Sequence, residues 1–284
     1  MQIARPYVPR RRIHIGSIVI TMLLILVGIV ILMPFYWMLV ASTLSLPELV
    51  QYPPRLLPGN QFLVNVRALL ERLPFLRAYV NSLFIAAATT AAQLFLCSLG
   101  GYAFAKYDFP GREKFFVLML ATMMIPAAVG LVPWYIMMSW FHWVDSYLAL
   151  IVPSMASAFG IFWMRQFISG AVPDEMIQAA RVDGCSDFGI YWRIVVPVIL
   201  PGLGALGIMI FMGAWNDFMA PLIILRTLNK YTITLILALL MNQFNNEIPL
   251  MMAGATLATV PVLIVFFAAS GRFISGLTAG SVKS

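Results

Sequence analysis

The chain has 284 residues, 62% of them hydrophobic and 10% charged, with a mean hydropathy of +0.92. Soluble domains carry about 25% charged residues, so this composition cannot cover a water-facing surface and excludes a soluble globular protein; abundant apolar surface equally excludes a disordered chain. Lys and Arg total 18 against 11 Asp and Glu, a net charge of +7, which in a lipid-embedded chain sets topology, because basic loops stay in the cytoplasm.

The fold class this predicts is an all-α polytopic membrane protein. A crossing helix needs about 20 mostly apolar residues, and six such segments follow in order: 15–41, 79–105, 115–139, 146–167, 200–225 and 250–273. Pro34, Pro126, Pro153 and Pro261 fall inside them, which membrane helices tolerate when neighbours re-satisfy the freed carbonyls. Residues 1–14 form a basic N-terminus with Arg5, Arg10, Arg11 and Arg12. The apolar run after them is too long for a signal peptide and lacks a small-residue cleavage site, so an uncleaved first span is expected. Residues 42–78 form an extracytoplasmic loop holding a short helix over 63–73, with Pro53, Pro54 and Pro58 making its first part extended. Its Arg55, Arg67, Arg72 and Arg77 break the charge pattern. Residues 79–275 form a core with five spans and a long cytoplasmic loop at about 170–200, and 276–284 form a cytoplasmic tail. Lys106, Arg112 and Lys114 lie in the second connection, Arg181 and Arg193 in the fourth, and Arg272 and Lys283 after the last span. The third connection, around His142 to Asp145, has neither Lys nor Arg. Both termini are therefore expected in the cytoplasm.

The loop at 173–197 is longer than a connector requires. Pro173, Asp174 and Glu175 suit a helix's first turn, with Met176, Ile177 and Ala180 on one face. Gly184 is a C-cap candidate. Ser186 or Asp187 can cap a second helix whose apolar side carries Phe188, Tyr191, Trp192 and Val195; Pro197 and Pro201 then bracket the start of the fifth span. Two readings stand. The pair is either an interfacial hairpin that merely connects two spans, or a knob that docks a cytoplasmic partner, with small Ala179 and Ala180 allowing close approach and Arg181 and Asp183 pairing across the interface.

The stretch Gln178-Ala179-Ala180, Asp183-Gly184, Ile194 and Pro197 resembles the EAA loop of ABC importer permeases. The resemblance extends over nearly the whole chain, through Asn81-Ser82-Leu83, Tyr102-Ala103-Phe104-Ala105-Lys106, Phe109-Pro110-Gly111-Arg112, Met123-Met124-Ile125-Pro126, Arg165-Gln166-Phe167, Trp215-Asn216-Asp217-Phe218, Pro221-Leu222 and the terminal Gly276-Leu277-Thr278-Ala279-Gly280-Ser281-Val282-Lys283. Together these are similar to the MalG-type permeases of the carbohydrate-uptake subfamily. The resemblance implies the type I, MetI-like architecture of a permease in a bacterial or archaeal cytoplasmic membrane. It also implies a second homologous permease as heterodimer partner, two ATP-binding subunits that hold ATP and Mg, and an extracytoplasmic solute-binding protein that delivers a sugar or oligosaccharide. In that setting the loop couples to the ATPase, and this chain catalyses nothing. Gln178 stands where the family usually has Glu, which keeps length but loses a charge. A permease for glycerol 3-phosphate or another polyol is the alternative within the class.

Other signals carry less. Cys97 and Cys185 form no CxxC, and His14 and His142 are isolated, so neither a disulfide framework nor a metal site is expected. No nucleic-acid partner is expected either. Gly202 to Gly207 matches GxGxxG, but inside an apolar span, where it serves helix packing. No GxxxxGK[ST] occurs. Asp217 follows Trp215 and Asn216 in the fifth span, about 20–25 Å from its cytoplasmic end. A carboxylate there must be paired or wet. It is either a structural hydrogen-bond node or, with Trp215 and Asn216, a wall of the solute path. An ion-coupled secondary transporter would use Asp217 as its coupling group.

Overall fold

The structure, a computed structural model, describes residues 15–243 and 247–278. The N-terminal arginines, His14 and residues 279–284 of the tail lie outside the described residues. Every regular element among those described is helical. α1 (Ile15–Ser42) is apolar on all sides, and from Ile18 to Leu39 nearly all of its side chains are exposed before Val40 and Ala41 are buried near its end. It packs along α14 on one side only, and an apolar helix left that open requires lipid. The outer loop holds α2 (Leu46–Val50) and α3 (Phe62–Arg72), the latter as expected. Two of the four basic residues in this loop are matched by acids: Arg55 pairs with Glu48, and Arg72 with Glu247.

α4 (Phe75–Lys106) begins before the expected span, so Asn81 and Ser82 sit well inside it. They fasten a distant segment there. Asn81 Nδ2 donates to the carbonyls of Asn229 and Tyr231, each at 3.0 Å, and Ser82 Oγ accepts from Ile233 N at 2.8 Å. The third expected span is broken into α5 (Arg112–Thr122) and α6 (Ala127–Trp140), bent by 98°. The fourth is broken as well, into α7 (Leu148–Ile151) and α8 (Ala158–Ala171).

After the α9 (Asp174–Val182) and α10 (Asp187–Ile190) hairpin, the chain passes through a π-helical turn, Tyr191–Val195, directly into α11 (Val196–Asn216). Asp187–Asn216 is thus one continuous rod of 30 residues. Pro197 lacks the N–H that would close on the Arg193 carbonyl, and the wider turn lies just before it. The fifth span ends at Asn216, where Asp217 is extended, rather than near Leu225. α12 (Met219–Ile224), α13 (Ile233–Gln243) and α14 (Ile248–Thr278) complete the chain. Among the described residues four helices are long and apolar enough to cross a membrane, five when the α5–α6 pair counts as one span.

The prolines divide by context. Pro34 and Pro261 lie inside unbroken helices, while Pro126 and Pro153 coincide with breaks. Ahead of Pro126, Met123, Met124 and Ile125 close tight bonds on the carbonyls of Leu120, Ala121 and Thr122, which ends α5. Pro disfavours helix in the residue before it.

α4 packs between α8 and α11, and small residues set how closely. A Cβ at Gly101 would lie 2.6 Å from Met164 Cβ and 2.8 Å from the Arg165 nitrogen, so the two backbones meet there. Gly202 faces the Phe167 ring equally tightly, which makes the GxGxxG match a packing feature. One buried cluster gathers α9, α10, α8 and the end of α4; another gathers α3, the start of α4, the end of α11, α13 and α14.

Candidate functional site

The α9–α10 hairpin forms where its sequence is punctuated by Asp-Gly. Ile177 and Ala180 bury one face of α9 against Tyr102, Ile168 and Tyr191. Asp183 N and Gly184 N donate to the carbonyls of Ala179 and Arg181, and Cys185 N reaches back to Ala180 O, each at 3.0 Å. Gly184 has φ +80, the left-handed state that ends helices and favours glycine. Ser186 Oγ then caps α10 by accepting from Gly189 N at 3.2 Å.

This geometry revises the expected docking face. Ala180 is buried against its own chain, so Ala179 and not Ala180 is offered outward. Arg181 is used within the hairpin: it pairs with Asp187 at 3.2 Å and lies 5.2 Å over the Tyr107 ring. Met176, expected on the apolar face, is exposed. The apolar side of the second helix is split: Tyr191 and Val195 are fully buried, while Phe188 and Trp192 stand outside, stacked at 6.5 Å with their planes 9° apart. Val182, at the end of α9, is 88% exposed. Gln178, Asp183, Gly184 and Pro197 are exposed, and Ile194 is partly buried against its own chain.

The hairpin is fastened by Lys106, which the sequence marks by its loop charge and its place in the Tyr102-to-Lys106 motif. The Lys106 side chain is 6% exposed, and its Nζ donates to Val172 O at 2.6 Å and to Asp174 Oδ1 at 2.5 Å. It thereby ties the end of α4 to the first turn of α9. A second tie joins Tyr191 to Ser98 Oγ on α4, oxygen to oxygen at 2.7 Å. Sixty-eight residues separate Lys106 from Asp174, and nothing local marks the pair.

The other region is a cavity of about 430 Å³ bordered by α4, the 150–159 segment, α11 and Asp217. Its polar lining is Thr89, Gln93, Ser154, Asp217 and Thr232, with Phe159 as the aromatic face. Of the three expected path residues only Asp217 reaches it. Trp215 is 2% exposed, stacks on Phe211, meets Tyr79 edge to face at 5.5 Å, and donates its indole N–H to Ala258 O at 3.2 Å. It packs as a core residue in this chain, and its ring does not border the cavity. Asn216 is exposed and bonds back to Met212 O at 2.9 Å. Asp217 sits where α11 stops, not midway along a continuous helix, and its Oδ1 lies 3.4 Å from Ala220 N.

Asp145 knots the turn after α6 to residues 226–230. Its carboxylate accepts from Arg226 N at 2.9 Å, Thr227 N at 3.0 Å, Thr227 Oγ1 at 2.6 Å and Lys230 Nζ at 3.0 Å. Partial burial on its own would raise the carboxyl. The Thr227 hydroxyl, the two backbone N–H groups and the Lys230 ammonium outweigh it and hold Asp145 well below the usual carboxylate range.

The family described as binding-protein-dependent transport system inner membrane component matches residues 97–278. The arabinooligosaccharides transport system permease protein AraQ of Bacillus subtilis (strain 168) is 33% identical over 274 residues, covering 94% of this chain and 95% of that protein. The lactose transport system permease protein LacG of Rhizobium radiobacter is 34% identical over 250 residues, covering 88% and 90%. Among solved structures, a bacterial ABC transporter involved in the import of the acidic polysaccharide alginate superposes with a TM-score of 0.80 at 22% identity, over 95% of this chain and 100% of that one.

Proposed function

The chain belongs to the family of binding-protein-dependent transport system inner membrane components, and on that premise we propose that it forms one half of the translocation path of an ATP-driven importer for a sugar or oligosaccharide. A second homologous permease completes the path, two ATP-binding subunits hold ATP and Mg, and an extracytoplasmic solute-binding protein delivers the solute. The observation that carries the reading is the α9–α10 hairpin, which leaves Val182 and the stacked Phe188 and Trp192 uncovered by this chain while Lys106 fixes its base. Exposed apolar groups on a rigid mount are what a partner's cleft would bury. Gln178, Ala179, Asp183 and Gly184 form the contact face. Ala180, Ile194 and Pro197 hold its shape. Closure of the ATP-binding pair pushes the hairpin, and the permease pair moves between inward-open and outward-open states. With the hairpin in the cytoplasm, both termini are cytoplasmic too.

The test is uptake of labelled sugar into vesicles holding the whole complex, with and without ATP and with and without a proton gradient. ATP-dependent uptake that survives Asp217→Asn is expected. Uptake that ignores ATP, follows the gradient and is lost in Asp217→Asn would replace this reading with a secondary transporter.

A further inference from the structure

The cavity bordered by α4, the 150–159 segment and α11 has an unusual inventory for a solute path open to both neutral and anionic carbohydrates. Among the described residues its lining offers three hydroxyls, from Thr89, Ser154 and Thr232, one amide, from Gln93, and one ionisable group, Asp217, and no Lys, Arg or His. As a carboxylate, Asp217 repels an anion. The basic residues on the nearby segment, Arg226 and Lys230, are held by Tyr135 and Asp145 and do not border the space. Thr89 is 4% exposed, and its hydroxyl has no hydrogen-bond partner among the described residues. A buried hydroxyl beside a cavity is costly until something satisfies it. Gln93 is held by its own amide nitrogen, which donates to Ser157 Oγ at 2.5 Å, leaving the carbonyl oxygen as its accepting end. Phe159 and Met209 supply apolar surface.

We infer that this cavity contacts an uncharged, hydroxyl-rich carbohydrate, with Thr89 and Gln93 as hydrogen-bonding contacts and Asp217 as the group that disfavours phosphorylated or uronate solutes. The assignment rests on the chain being half of a translocation path, and it separates that path from one for glycerol 3-phosphate or an acidic polysaccharide. The volume lies within the ~300–1,000 Å³ of small-molecule sites, and the hydroxyls and amide match sugar hydroxyls while the apolar groups match the C–H faces of a pyranose or furanose ring.

The experiment compares cells holding the intact transporter with cells lacking this chain, using labelled arabinotriose, lactose and maltotriose against labelled glycerol 3-phosphate and trimannuronate. At least one neutral probe should lose uptake on deletion, and neither anion should. For that probe, Thr89→Val should raise the KM for uptake about tenfold, the loss of one well-made hydrogen bond, while recovery of the partner permease is unchanged. Thr89→Ser should restore it. Deletion-sensitive uptake of an anion, or of no neutral probe, overturns the inference. So does a Thr89→Val variant with unchanged KM, or one that loses its partner permease instead, which would give the cavity to helix docking. ATP dependence, read in vesicles, is a separate axis: ATP-independent uptake of a neutral probe removes the importer and leaves the cavity assignment standing, and ATP-dependent uptake of anions alone does the reverse.

Discussion

Gly184 gives a graded perturbation of the hairpin. Its φ of +80 is the left-handed state, and a Cβ built there meets nothing within 4 Å. Substitution in this chain therefore changes backbone energy and little else. Alanine in that state costs about 1–2 kcal/mol, a factor of roughly 5–30 in the ratio of formed to unformed turn. Asparagine tolerates the state better and costs less. Proline is fixed near φ −65° and has no N–H, so it cannot hold the turn and also deletes the bond to Arg181 O; the penalty is about 3 kcal/mol or more. Solute-stimulated ATP hydrolysis in vesicles, together with recovery of the ATP-binding subunit on the membrane complex, should fall in the order Gly, Asn, Ala, Pro, with only Pro near zero. Normal uptake by Gly184→Pro would leave the hairpin a mere connector. An Asn variant as poor as Pro would refute the backbone argument, because space rather than φ would then be the constraint.

Three further outcomes are expected. Lys106→Met removes a nearly buried ammonium from Val172 O and Asp174, costing about 1–3 kcal/mol locally; uptake should drop severalfold while complex assembly persists, and a variant with wild-type uptake would show that α4 and the hairpin are not tied through it. Trp215→Ala empties a buried aromatic site, about 3–5 kcal/mol by analogy with other cores, so the amount of folded protein recovered in detergent should fall sharply; full recovery with only a raised KM would return the indole to the solute path. Asp145→Asn should lower the thermal unfolding midpoint. Because the folded carboxyl is held below its unfolded value, the contribution of Asp145 is fully present above the ordinary carboxylate range and is lost as pH falls through the depressed one; the wild-type-to-variant difference should be flat from pH 5 to 8, and one that vanishes within that window would contradict the knot.

Helical class and lipid setting were readable from composition, and the hairpin from local chemistry: an acidic first turn, an Asp-Gly stop and a Ser cap. What could not be read were facts about neighbours. Pro34 and Pro126 look alike in sequence, yet one lies in a smooth helix and the other at a 98° bend. α13 has 11 residues, too short for any span criterion, and its identity comes from packing Ile233, Ile236 and Leu240 against α3, α4 and α14. Pro197 reads as a boundary, and a π turn carries the helix past it. Trp215 reads as a sugar platform beside a carboxylate, and one helical step turns it into the core. Lys106 reads as a topology signal, although its partner lies in another element. Each of these turns on a contact that periodicity does not record.

The unbroken run from Asp187 to Asn216 has a mechanical consequence. Thirty residues at 1.5 Å each make a lever about 45 Å long. Its two ends lie where the helix stops, at the Asp183–Ser186 turn beside the exposed aromatic stack and at Asp217 beside the cavity. A tilt of about 10° around one end carries the other ~8 Å, several times the width of a hydrogen bond. A small rotation of the hairpin, carried along the rod, would therefore become a displacement of several ångströms at the end beside Asp217.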